Sequence, residues 1–240
     1  MMASFAGTDE SLTAELRELL VGKARECVPL LLANTTNDEV NGDGLPWHLD
    51  FEKAELNLKV FSSPATGSAI KRFKAVCIVK DTTPKEVIDF IGDTRHRLTW
   101  DRNIADLSVL PLSDDGKELI SLLRSCTKQV GPISGRDFID STIVKTLEDG
   151  SIINGGWGID VPELGGLHPP TKKFVRGLNQ AGTGWHLQVA GSDTRVVYCI
   201  QTDLRGWFLP VVINAAIGGS YVAFFEDMTR ALNARKQGGK

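Results

Sequence analysis

Four histidines, His48, His96, His168 and His186, and four cysteines, Cys27, Cys77, Cys126 and Cys199, are the side chains best suited to hold a metal or attack a carbonyl. A metal centre needs ligands brought together, usually by short spacings such as H-x-x-x-H or C-x-x-C, and none of these residues is so spaced. The segment Gly131-Pro132-Ile133-Ser134-Gly135 lacks the spacing of a nucleophile elbow. Gly155-Gly156-Trp157-Gly158 likewise lacks the spacing of a dinucleotide-binding loop. The expectation is no catalytic residue, no metal and no cofactor, with each histidine at the surface or on a loop. The adjacent charges Arg136 and Asp137 could be a pocket ion pair, but paired charges at the start of a strand more often fix local geometry, so they are read as structural.

The composition around these residues is that of an ordinary globular protein. Of 240 residues, 42% are hydrophobic and 24% charged, and the net charge of -3 gives no reason to expect nucleic acid as a partner. Widely separated cysteines and an N-terminus without a charged and then apolar leader predict a reduced, cytoplasmic protein. The longest nearly apolar stretch, 207–217, is far short of the roughly 20 residues that span a bilayer. No stretch reads as a linker, so one domain over 1–240 is expected: an N-terminal helix and loop over 1–48, then a body over 49–236.

Leu12, Leu16, Leu19, Leu20, Ala24 and Cys27 recur at helical spacing and predict an opening amphipathic helix whose end Pro29 disturbs. Residues 34–47 read as a loop. Ala54, Leu56, Leu58 and Val60 alternate with polar residues, as in a strand with one buried face, and a second strand is expected over 70–79. Thr83, Pro84 and Glu86 form a helix-start signature. Further strands are predicted over 119–127, 138–146, 151–157, 185–190 and 195–202, with short connections that favour antiparallel pairing.

Two segments stand apart. The Gly/Pro-rich stretch 158–174 is too long for a hairpin turn. A closing helix starts at Pro210, and its residues Ile213, Ile217, Tyr221, Phe224 and Met228 form a bulky stripe, while Val211, Ala215, Gly218 and Val222 make a second apolar face. A helix apolar on two sides should be covered on two sides.

Three segments resemble one known family in its order: Arg97-Leu98-Thr99-Trp100-Asp101, then Gly131-Pro132-Ile133-Ser134-Gly135-Arg136-Asp137-Phe138, then the run from Val196 to Pro210 with its Asp203-Leu204-Arg205-Gly206-Trp207 turn. They are similar to the START domains, the steroidogenic acute regulatory protein-related lipid-transfer family. The resemblance implies an α+β helix-grip fold, a curved antiparallel sheet wrapped around a long C-terminal helix with an internal hydrophobic tunnel. It also implies one lipid, a sterol, phospholipid or sphingolipid, carried by a monomer that touches membranes transiently. A non-enzyme is expected; a cyclase-like enzyme or a lipid sensor would use the same cavity.

By the same resemblance, the inward acid and arginine of sterol-handling members correspond approximately to Leu123 and Thr142, so that charged pair is missing. Gln201, near an amide of a ceramide-handling relative, could meet a lipid hydroxyl or be a satisfied core glutamine. Arg124, one position from Leu123, should face the other side. The expected lipid-binding residues are thus Leu123, Thr142, Trp157, Gln201, Ile213, Ile217, Tyr221 and Phe224, with Trp157 nearest the tunnel mouth. Val161, Leu164 and Leu167 are expected in a gate over 158–174, which dips into a membrane while Lys172, Lys173 and Arg176 meet anionic headgroups.

Overall fold

A computed structural model describes residues 12–131, 133–160, 164, 173–206 and 210–238. The opening periodicity becomes helix α1, Ala14–Thr35, whose Thr13 cap accepts from the Leu16 amide. It does not break at Pro29, contrary to expectation. Leu20, Ala24, Cys27 and Leu31 stay on one buried face, whereas Pro29 is exposed, where water can serve the carbonyl it leaves unbonded.

Nine strands form one antiparallel path. In chain order they are β1 (His48–Lys53), β2 (Leu58–Ala65), β3 (Ser68–Val79), β4 (Ile104–Asp114), β5 (Glu118–Thr127), β6 (Arg136–Thr146), β7 (Ile152–Gly158), β10 (Thr183–Ala190) and β11 (Asp193–Ile200). Their spatial order is β1-β2-β3-β11-β10-β7-β6-β5-β4. Short β8 (Val175–Arg176) adds in parallel to β6, and β9 (Leu178–Asn179) pairs with β12 (Thr202–Asp203).

Two of the nine strands had no sequence signal, and both are sheet edges. Every residue of β1 is exposed except half-buried Lys53, and β4 carries Pro111, which an edge tolerates, so neither shows an alternating pattern. Ala54–Leu56, expected in a strand, forms a 3-10 turn instead, closed by Asn57 at φ 47°. Asparagine tolerates that left-handed conformation better than most residues.

The predicted capping box is present: the Thr83 hydroxyl accepts from the Glu86 amide, and the Glu86 carboxylate accepts from the Thr83 amide, opening α2, Pro84–Gly92. Helix α3 is Thr94–Trp100, and α4 runs from Pro210 to Gly238.

The period-two pleat divides the sheet between the two long helices. Leu20 and Ala24 of α1 pack on Ile120, Leu122, Ile139 and Ile143 at the outer face. Ile213, Ile217 and Phe225 of α4 share the inner-face core with Val60, Ala75, Leu187 and Val196. Gly155 permits the first contact, because a Cβ there would lie 2.9 Å from Cys27 Sγ. The second apolar face of α4 is not covered at its start: Val211 and Ala215 are exposed.

Candidate functional site

Between the inner face and α4 lies a cavity of about 270 Å³. Alternation selects its walls: Leu123 from β5, Phe138, Asp140 and Thr142 from β6, Asn154 and Gly156 from β7, Trp185 from β10, and Tyr198 and Ile200 from β11. Ile217, Tyr221 and Phe224 close it from α4. Much of the wall is aromatic. Trp185 stacks on Tyr198 at 4.0 Å and tilts against Phe224 at 5.4 Å, while Tyr198 meets Tyr221 at 5.3 Å.

Gly156 contributes by having no side chain. A Cβ there would meet Thr142 and Asp140 at 3.6 and 3.7 Å, so any larger side chain would extend into the space these residues face. Gly158 serves packing instead, since its Cβ would lie 2.6 Å from the Asn179 carbonyl oxygen and glycine alone lets β7 approach β9.

Most polar groups in the wall are engaged within the protein. Thr142 Oγ1 donates to the Ser121 carbonyl at 3.1 Å, and Arg97 Nε donates to Asp101 at 3.0 Å. Arg136 donates to the carbonyls of Ser134, Leu204 and Arg205, which joins the start of β6 to the turn before α4. Asp137 takes both of its bonds from Arg176, at 3.1 and 3.0 Å. The neighbours Arg136 and Asp137 thus serve separate structural contacts.

Asp140 differs. It is 5% exposed, and both its oxygens accept from Asn179 Nδ2, at 3.1 and 3.0 Å. Burial pushes its carboxyl up to about 7, against the opposing pull of the Asn179 hydrogen bonds and the Arg176 charge. Asn179 Oδ1 is buried and has no hydrogen-bond partner among the described residues.

Of the residues expected to bind ligand, Leu123, Thr142, Ile217, Tyr221 and Phe224 line the cavity. Ile213 is buried in the same core but does not reach the cavity wall. Trp157 lies on the opposite sheet face under the Lys23 ammonium, 4.7 Å from its ring, because inward Asn154 and Gly156 force it outward. Gln201 is outside the cavity for the same reason: Ile200 and Thr202 face in, and Gln201 accepts from Arg72 Nη2 at 3.1 Å. Arg124 is outward as expected, paired with Asp106.

Leu164 is fully buried against the α1 face together with Ile159, and so is not an exposed membrane anchor. Val161 and Leu167 fall outside the described residues. His186 corrects the expectation of surface histidines: it is 2% exposed, with Nδ1 3.0 Å from Thr35 Oγ1 of α1. Among the described residues no group of three His, Cys, Asp or Glu could hold a metal.

Asp140, Trp185, Tyr198 and Asn179 were not singled out from the sequence. A signal existed for Asp140, which stands two positions before Thr142 on one strand and so must share its face. None existed for Asn179, which arrives through a two-residue strand.

A family model described as START domain matches residues 32–238. Mouse StAR-related lipid transfer protein 5 is 30% identical over 156 residues, 62% of this chain and 70% of that protein. Human StAR-related lipid transfer protein 6 is 26% identical over 157 residues, 64% of this chain and 69% of that protein. Among solved structures, human StAR-related lipid transfer protein 5 superposes with a TM-score of 0.73 at 23% identity, covering 94% of this chain and all of that one. Human STARD10 gives 0.64 at 18% identity, covering 77% of this chain and 72% of that one. No described helix is long and apolar enough to cross a membrane.

Proposed function

Because the chain belongs to the START domain family, with its helix-grip fold, we propose that it binds one lipid in the cavity between the sheet and α4 and carries it between membranes. The observation that carries this reading is an internal space walled by Leu123, Phe138, Trp185, Tyr198, Ile217 and Phe224, inside a fold whose curated relatives are named lipid transfer proteins. A lipid crossing water exposes its methylenes at about 0.8 kcal/mol each, and an apolar enclosure removes that cost in transit.

The reading includes one domain acting as a monomer in the cytoplasm and touching membranes transiently. Carriage suits the wall better than catalysis: Asp140 is bonded by an amide rather than by a second titratable group.

The test is lipid transfer between donor and acceptor vesicles, followed with fluorescent sterol, ceramide and phospholipid. Wild type should accelerate transfer of at least one. Ile217→Trp, which fills the cavity from α4, should abolish that transfer at an overpacking cost of about 1 to 3 kcal/mol. A folded Ile217→Trp protein that transfers lipid like wild type would place the ligand elsewhere.

A further inference from the structure

We propose that Asp140 and Asn179 select the ligand: they present acceptor oxygens, at one point of a largely apolar cavity, to an uncharged hydrogen-bond donor, a hydroxyl or an amide N–H. This rests on the carrier reading above and names the ligand chemistry that reading leaves open.

Acceptors outnumber donors where Asp140 meets Asn179. Above about pH 7, where Asp140 ionises, its two oxygens have room for about four hydrogen bonds, and Asn179 Oδ1 has room for two more. Against these acceptors the described residues supply one hydrogen-bonding nitrogen, Asn179 Nδ2, which reaches both carboxylate oxygens. That contact also fixes the amide: with Nδ2 turned to the carboxylate, Oδ1 is turned away, and it is the atom left buried without a partner.

Three donor-bearing side chains of the wall are spent elsewhere in the protein. Thr142 spends its hydroxyl proton on Ser121, Arg97 faces Asp101, and the Arg136 guanidinium is held by backbone carbonyls. A buried acceptor left without a donor costs free energy, and the cost falls when a ligand brings one.

The surroundings put that point within a ligand's reach. Gly156 leaves open the space in front of Asp140, where a Cβ would stand 3.7 Å from the Asp140 Cβ. Across the strand pair, Asp140 is opposite Leu123, which offers no competing polar group. A molecule seated here places its donor at Asp140 and Asn179 and its apolar body against Trp185, Tyr198 and Phe224. An ether or ester at the same position brings two more lone pairs to a site already rich in them.

The test, buffered above pH 7 so that Asp140 is ionised, exposes the full chain to phosphatidylcholine vesicles carrying equal amounts of cholesterol, cholesteryl methyl ether, hexadecanol and hexadecyl methyl ether. Native mass spectrometry then reads the bound lipid. Wild type should prefer each alcohol over its ether by about tenfold, the worth of one buried hydrogen bond. Asp140→Leu and Asn179→Leu should each reduce that preference to about twofold or less, whereas Asp140→Asn, which keeps an acceptor oxygen, should retain most of it.

A merely structural role would lower uptake of alcohol and ether together and leave their ratio unchanged. That result, or equal uptake of alcohols and ethers by wild type, overturns the inference. Should one leucine variant not fold, the other variant and the wild-type ratio still decide. Uptake of phosphatidylcholine alone overturns the inference while the carrier reading stands. Uptake of no lipid from these vesicles or from a total lipid extract overturns both.

Discussion

At the residue scale, Asp140 makes stability depend on pH. Its carboxyl is pushed up to about 7 by burial, above the 3.8 of an unfolded aspartate. The folded protein therefore holds this proton more tightly than the unfolded chain. The stabilisation is complete at low pH and lost as pH rises through about 7. Asp140→Asn removes the titration and keeps the shape. Urea unfolding of wild type and Asp140→Asn from about pH 5 to 8 should show wild type losing stability relative to the variant, by an amount on the order of a few kcal/mol. Parallel curves across that window would mean that the carboxyl is solvated.

At the scale of elements, two glycines of β7 separate space from packing. Gly156→Val places methyl groups beyond a Cβ that already contacts Thr142 and Asp140 at ordinary distances, so it should cut lipid uptake while the protein stays folded. Gly158→Ala forces a Cβ to within 2.6 Å of a backbone oxygen of β9 and should lower thermal stability by about 1 to 3 kcal/mol. Calorimetry with vesicle uptake on both variants separates the effects; equal loss of stability in the two would remove Gly156 from the cavity wall. The strand runs around these glycines were legible from the Gly, Asp and Pro residues that bound them rather than from alternation, because β6 and β7 are buried on both faces. The edge strands β1 and β4 were not, because an edge with few buried residues carries no clear apolar run.

For the whole molecule, an enclosed ligand is part of the core. On the carrier reading, a lipid held between the sheet and α4 binds only the folded state, and at a hundred times its dissociation constant it would add about 2.7 kcal/mol. Stripping bound lipid by solvent extraction and refolding should therefore lower the melting temperature, and returning the lipid should restore it. Identical melting of stripped and reloaded protein, with reloading verified by mass spectrometry, would show that the lipid sits outside the folded core.

The sequence by itself determined the strand runs that became β5, β6, β7, β10 and β11, through the turn residues between them, together with the capping box of α2 and the bulky stripe of α4, since each is written in neighbouring residues. It also determined that Leu123 and Arg124 face opposite ways. Tertiary structure decided what the local pattern could not: which inward residues meet one another. Asp140 and Asn179 are 39 positions apart, on strands that are not neighbours in the sheet path, and they meet because β9 folds against the ends of β6 and β7. Trp157 and Gln201 show the same dependence in reverse. Each has the chemistry of a ligand contact, and each is turned to the other side by the inward position of its strand neighbours. Spacing along one strand fixes which residues share a face, but only the pairing of distant strands fixes what that face encloses.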